Sequence, residues 1–312
     1  MANQLPSHPK SLDLHQRKTL PCPMASSSTA PLPPVATGWA ALPRDVLWSL
    51  FTELGHREVL SGAGLACVAW RRLARQEPAL WRRIDLTTAA GDTVSGWKEM
   101  ALAAIDRSAG QCEAFWGRAD NEVLLYLADR APSMKSLRLT SHYDVSSEVF
   151  TELIKKFPLL EELELVLKYD TNNYSTKSAQ RRTNSWLELF QSACKACSHL
   201  HHFTVCSAGK EQRSGRYYPR GRPRTPKPFS IPMMHGLNSF ELSGDSSLTN
   251  DVVMQIVDNC PNLKSLNISD VRYEDKWELK LLNNKCYRIK DLKLPAVFYE
   301  PDTDYSSDED MS

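Results

Sequence analysis

From residue 134 onward one short pattern of apolar and polar positions keeps returning: apolar, two free positions, apolar, one free position, apolar. It reads Met134/Leu137/Leu139, Leu160/Leu163/Leu165, Leu200/Phe203/Val205, Leu237/Phe240/Leu242, Leu263/Leu266/Ile268 and Ile289/Leu292/Leu294. The alternation that closes each copy predicts a short strand with one buried face. The closing positions are spaced 26, 40, 37, 26 and 26 residues apart, and a recurring period of that size marks a stack of repeats. Columns upstream agree. Fifteen residues before each strand's last apolar position stand Leu124, Phe150, Phe190, Val253 and Leu279. Twelve before it stand Leu127, Leu153, Ala193, Ile256 and Leu282, and eight before it Ala131, Phe157, Cys197, Cys260 and Cys286. Each unit therefore reads as a helix followed by a strand. Trp81/Ile84/Leu86 fits the same pattern, so the segment before it is expected to run directly into the first strand.

Residues between the apolar ones on each strand point to the opposite face. That open face is expected to present Ser136 and Arg138, Glu162 and Glu164, His202 and Thr204, Ser239 and Glu241, Ser265 and Asn267, then Asp291 and Lys293. Glu162 and Glu164 have the spacing of paired catalytic carboxylates, but nothing beside them supplies a pocket or nucleophile, and a solvated binding face is the expectation. No helix pattern occupies the stretch between Val205 and Leu237, which is expected to be a long loop. A single unit buries too little to offset the cost of ordering its chain, so the repeats are expected to fold as one cooperative solenoid.

The N-terminal third has a different rhythm. Val46, Leu47, Leu50, Phe51 and Leu54 recur at helical spacing after Leu42-Pro43-Arg44-Asp45, and Gly55 is expected to stop that helix. Leu65, Val68, Ala69, Trp70 and Leu73 form a second series, expected to begin after Gly62 and Gly64. Leu42-Pro43-Arg44-Asp45-Val46-Leu47, Cys67-Val68-Ala69-Trp70-Arg71, Leu80-Trp81 and Ile84-Asp85-Leu86 fall in this order within about 48 residues, and together they resemble an F-box. The units downstream resemble cysteine-containing leucine-rich repeats, clearest in Cys260-Pro261-Asn262-Leu263-Lys264-Ser265-Leu266-Asn267-Ile268. The whole is similar to plant F-box/leucine-rich-repeat proteins over residues 39–298. One departure stands out. Three residues past each strand the family has Asn or Cys, whereas this chain has His142, Lys168, Ala208, Asp245 and Val271, so less regular turns are expected there.

Charge adds two pieces to this picture. The chain has 312 residues with 38 Lys and Arg against 37 Asp and Glu, which excludes a globally basic nucleic-acid binder. The balance hides residues 207–228, with seven basic residues and one acidic, and residues 300–312, with six acidic and none basic. Within the first lies Pro219-Arg220-Gly221-Arg222-Pro223-Arg224, identical to the core of an AT-hook. Arg220, Gly221, Arg222 and Pro223 are thus candidates for an A·T-rich minor groove, set against a solvated basic loop. In the second, Ser306 and Ser307 precede acids and are candidate phosphorylation sites. Residues 1–37, with seven Pro and a Ser26-Ser27-Ser28-Thr29 run, are expected to be a disordered leader. Its Ser-rich, acid-poor composition resembles a transit peptide but lacks an Arg-rich amphipathic helix. Met24 is an alternative start. No apolar run approaches the roughly 18 residues of a membrane span, and eight Cys without regular pairing point to a reducing compartment. Cys194, Cys197, His199, His201, His202 and Cys206 have the composition of a zinc site, yet Cys194 and Cys197 occupy core columns, so no metal is expected.

These readings combine into one expectation. The fold class is an α/β solenoid, helices outside and short parallel strands inside, preceded by a three-helix F-box. The expected domains are a leader at 1–37, an F-box at 38–86, repeats at 87–298 with an insertion at 207–236, and an acidic tail at 299–312. The resemblance implies the substrate receptor of a cullin-RING (SCF-type) ubiquitin ligase, non-catalytic and without cofactors, acting in the nucleus and/or cytoplasm. Leu42, Pro43, Asp45, Val46, Leu47, Leu50, Val68, Trp70, Leu73 and Trp81 would form or support the surface for a Skp1-type adaptor. Arg138, Glu162, Glu164, His202, Thr204, Glu241, Asn267, Asp291 and Lys293 would meet a protein substrate. A DNA-associated scaffold using the hook-like loop is the competing function. No enzyme motif appears.

Overall fold

The computed structural model describes residues 38–87, 95–140, 147–168, 185–208, 229–273 and 284–294. The expected leader, the hook-like loop with Arg220, Gly221, Arg222 and Pro223, and the acidic tail lie outside the described residues.

A turn of 3₁₀-helix at Trp39–Ala41 precedes helix α1 (Arg44–Ser61). Gly55 adopts φ 75 and ψ 156 inside α1, so the helix breaks there, as the sequence predicts, but helical geometry resumes and carries on to Ser61. A second 3₁₀ turn, Ala63–Leu65, leads into α2 (Val68–Gln76). Gly64 in that turn is fixed by space: a Cβ there would lie 2.5 Å from the Val59 carbonyl oxygen and 3.2 Å from the Ala74 side chain. The chain then passes through a 3₁₀ turn at Pro78–Trp81 into strand β1 (Arg83–Asp85).

Eight parallel strands follow one another in sheet order and in chain order. After β1 come α3 (Trp97–Arg107), β2 (Ala114–Arg118), α4 (Asn121–Arg130) and β3 (Ser136–Thr140). Next are α5 (Ser147–Leu153), β4 (Glu162–Lys168), α6 (Ser185–Ala196) and β5 (His202–Ala208). The series closes with β6 (Ser239–Leu248), α7 (Asn250–Asn259), β7 (Ser265–Tyr273) and β8 (Asp291–Lys293). This is the repeat architecture that the spacing predicts: helix, turn, strand, stacked on the previous copy. Where described, the buried columns are the predicted ones; Leu279 and Leu282 lie outside the described residues. Leu124, Leu127, Phe150, Leu153, Phe190, Ala193, Val253 and Ile256 line the helix side, and Leu137, Leu139, Leu163, Leu165, Phe203, Val205, Phe240, Leu242, Leu266 and Ile268 the strand side. At each strand entry one carbonyl accepts two amides of the next repeat. Lys135 O, for example, takes Glu161 N at 2.8 Å and Glu162 N at 2.9 Å. The same bond pair recurs from Glu161 O, His201 O, Asn238 O and Lys264 O, so the turns repeat as faithfully as the strands.

Three features add to the sequence reading. The unit α3–β2 has no place in the predicted series, because its strand carries Gly117 where the third apolar residue belongs. The reason is local crowding: a Cβ at Gly117 would meet the Leu86 Cβ at 3.2 Å. Second, residues 229–238, the described end of the expected loop before β6, have no helix or strand but are anchored in the core. Phe229 stacks on Phe190 at 6.4 Å, Ile231 and Met234 are buried, Met234 N donates to Asn259 O at 2.7 Å, and Gln191 Nε2 donates to Ser230 O at 2.6 Å. These side chains occupy the space a helix fills in other units. Large rings help: Phe190, Phe203, Phe240 and Trp186 sit within 4.5–6.3 Å of one another in successive pairs. Third, where the family's Asn or Cys would close the strand, β4, β5 and β7 run on through Lys168, Ala208 and Val271. The pairing of β6 with β7 shifts register beyond Glu241 and again beyond Ser243.

The N-terminal helices and the solenoid share one continuous core that runs from Leu47 to Ile289. Trp81 is its pivot. The ring is fully buried, its Nε1 donates to Ala74 O at 2.8 Å, and the Arg107 guanidinium lies 5.0 Å over it. His56, 5.2 Å from Trp81, stitches α1 to β1 with both ring nitrogens. Asp85 N donates to Nδ1 at 3.2 Å, which leaves the proton on Nε2 for the Leu80 carbonyl at 2.8 Å.

Candidate interaction surfaces

Helix α1 carries two apolar stripes. Leu47 and Phe51 face the core, whereas Val46, Leu50 and Leu54, four residues apart, lie on a second face. A solvated helix needs only the first. Val46 is 41% exposed, Val68 at the start of α2 is 72% exposed, and Trp39 and Leu65 are exposed as well. Pro43 and Asp45 are exposed, and Leu42 and Leu50 are half-buried. Trp70 is half-buried and acts as a tie. It packs edge-on against Trp39 and Phe51, and its Nε1 donates to Trp39 O at 2.9 Å. Leu47, Leu73 and Trp81 are buried, at 3%, 6% and 0% exposure, and lie behind the surface, where the expectation allowed for residues that support it. They hold the helices in place and present nothing to a partner. Trp39, Leu54 and Leu65 are missing from the sequence-predicted set. The i, i+4 spacing of Val46, Leu50 and Leu54 was the available signal for one of them.

The second surface is the inner face of the sheet. Register aligns its residues in rows. Ser136, Glu162, His202, Ser239, Ser265 and Asp291 form one row; Trp116, Arg138, Glu164, Thr204, Glu241, Asn267 and Lys293 form the next. All the sequence-predicted inner residues therefore lie on one face. A third row adds Arg118, Thr140, Val166, Cys206 and Ser243. Trp116 and Arg118 were missed with the α3–β2 unit, and Arg83, on the expected strand β1, was missed besides.

Contacts run across the strands. Trp116 Nε1 donates to Ser136 Oγ at 3.0 Å, and Ser136 Oγ donates to Glu162 Oε2 at 2.8 Å. Arg138 Nε lies 3.2 Å from Glu164 Oε1, Asn267 Nδ2 donates to Glu241 Oε1 at 3.0 Å, and Ser265 Oγ donates to Asp291 Oδ2 at 3.2 Å. The Arg83 guanidinium stands 5.6 Å over Trp116. Glu164 is half-buried, and that burial raises its carboxyl above the usual range; Glu241 adds to the rise while Arg138 opposes it. Burial also raises the Cys206 thiol, with Glu164 and Glu241 again adding to the effect.

The candidate zinc ligands separate. Cys194 and Cys197 are in the core, and the Cys197 thiol points to the Phe157 and Ile154 carbonyls of the neighbouring unit at 3.6 and 3.9 Å. Burial pushes the Cys197 thiol up to about 12 and raises Cys194 as well, the reverse of a metal-binding thiolate. Among the described residues no three His, Cys, Asp or Glu side chains converge on a metal position. Among them, too, no helix is long and apolar enough to cross a membrane.

Comparison with known proteins finds similarity at the N-terminal module and along much of the chain. The F-box-like family model matches residues 39–87. The chain is 27% identical to putative F-box/LRR-repeat protein 23 of Arabidopsis thaliana, over 87% of its own length and 57% of the relative's. It is 34% identical to F-box protein SKIP19 of the same plant, over 46% of this chain and 49% of that one. It is also 34% identical to putative F-box/LRR-repeat protein 22, over 46% and 51%. The chain thus spans about half the length of these curated relatives.

Proposed function

We propose, from the premise that this chain is an F-box/leucine-rich-repeat protein, that it is the substrate-recognition subunit of an SCF-type ubiquitin ligase. The observation that carries the reading is the second apolar stripe of α1. Val46, Leu50 and Leu54, with Val68 and Leu65 nearby, leave an apolar face uncovered on a module whose own core is already complete. A Skp1-type adaptor is the partner that fits it, and the adaptor links the chain to a cullin and RING subunit. In this reading the bond-making groups belong to the other subunits. Its part is to hold a protein substrate on the inner sheet face at a fixed distance from the ligase, where effective concentration accelerates transfer. The shared core through Trp81, His56 and Arg107 supports this role, because it packs the N-terminal helices directly against the first repeat.

Proximity labelling from the adaptor-bound chain tests the substrate half of the proposal. Wild type is expected to label a defined set of proteins that the inner-face variant Arg138→Glu/Glu241→Lys loses while keeping its adaptor. Identical labelling by both would remove the inner face from substrate recognition.

A further inference from the structure

The inner face changes electrical sign along the sheet. On β1 to β3 it presents Arg83, Arg118 and Arg138 against a single acid, Asp85, whose carboxylate is occupied by the Thr87 amide and hydroxyl at 2.9 and 2.6 Å. On β4 to β6 its first three rows present Glu162, Glu164 and Glu241 with His202 and without Lys or Arg; Lys168 follows on β4 in the fourth row. Between Glu164 on β4 and Glu241 on β6 stand the short side chains Thr204 in the same row and Cys206 in the next, with His202 in the row before. Two strand spacings separate the glutamates, about 10 Å. The result is a slot with carboxylate walls and a low floor, wide enough for one extended side chain. Arg138 reaches Glu164 from the β3 side, and Asn267 reaches Glu241 from the β7 side, so both walls are braced from outside and no described cation sits between them.

From this sheet face we infer that the substrate segment bound by the solenoid is an extended basic peptide, one Lys or Arg of which enters the slot between Glu164 and Glu241. The inference rests on the receptor reading and narrows it to a substrate class. Charge complementarity selects the occupant: a cation in the slot answers two half-buried carboxylates at once, whereas an acidic or apolar residue leaves them facing each other. Burial raises the Glu164 carboxyl in the empty face, Arg138 opposing the rise and Glu241 adding to it, and a bound ammonium or guanidinium would oppose it further. The Arg-bearing β1–β3 end sets direction as well. It repels further basic residues, so the basic part of the peptide lies over β4 to β6 and its acidic or aromatic neighbours over Arg83 and Trp116.

The test uses the full chain with a dye-labelled peptide alternating Lys with Gly and Ser, and a counterpart with Glu for Lys, read by fluorescence anisotropy at low and moderate salt. The basic peptide is expected to bind and to weaken with salt, and the acidic one not to bind. Glu164→Gln/Glu241→Gln should lower affinity about tenfold. Arg83→Glu, at an exposed position beside the Trp116 ring, should raise it, with circular dichroism checking that the fold is kept. Equal affinity in wild type and the Gln variant, indifference to Arg83→Glu, or no binding of the basic peptide would each overturn the inference. Adaptor binding by the same samples keeps the two claims apart. An adaptor complex without peptide binding sinks only the substrate class, and peptide binding without an adaptor complex sinks the receptor reading.

Discussion

At the scale of single residues, burial decides which side chains build and which side chains meet a partner. Leu47 and Val46 are neighbours in a helix and both match the F-box pattern, yet one is in the core and the other in solvent. The motif shows that both residue types are needed; only packing separates their tasks. Gly64 is the sharpest structural constraint in the N-terminal module, since a methyl group there would press on the Val59 backbone carbonyl, which cannot rotate away. Gly64→Ala is expected to destabilise the chain by about 1–3 kcal/mol, the range for an overpacked site. Chemical denaturation of both proteins measures it. An unchanged midpoint would mean that the turn accommodates a Cβ.

At the scale of elements, each unit closes its core with whatever the chain offers. Four helix–strand units follow the pattern of apolar columns, and the segment before β6 achieves the same closure with Phe229, Ile231 and Met234. Met234→Ala removes a buried side chain at that plug and is expected to cost about 2–5 kcal/mol, as core truncations do. Thermal unfolding would register it as a lower midpoint in one cooperative transition. A loss under about half a kcal/mol would show that the plug is not part of the core. The strands at β3 to β8 and the faces of α4 to α7 were legible in the sequence because burial repeats at fixed intervals. The α3–β2 unit was not, because Gly117 deletes the third apolar position and its neighbours, β1 and β3, are unevenly spaced from it. The plug was illegible for a different reason: Ile231 and Met234 are buried without helical or strand periodicity, and only the three-dimensional gap defines their place. Of the candidate surfaces, the inner rows were readable from strand alternation alone. The outer stripe of α1 was half hidden, since apolar residues in a helix read first as core.

At the scale of the molecule, continuity of the core is the feature that joins fold to function. Helices α1 and α2 do not dangle from the solenoid. Their core runs through Trp81 and Ile84 into β1, the ring of His56 bonds to both Leu80 and Asp85, and Arg107 of α3 covers Trp81 from the repeat side. A partner held on α1 and a partner held on β4 to β6 are therefore fixed relative to each other by packed side chains. The claim on which this rests is that the exposed stripe of α1 is an adaptor surface. Its direct measurement is co-expression with a Skp1-type adaptor followed by size-exclusion chromatography, for wild type and for Val46→Asp/Val68→Asp. Both substitutions fall at exposed positions, so circular dichroism should show an intact fold. A 1:1 complex for wild type that is lost in the variant is the expected result. A folded wild-type chain eluting alone, or a variant that binds as wild type does, would contradict it.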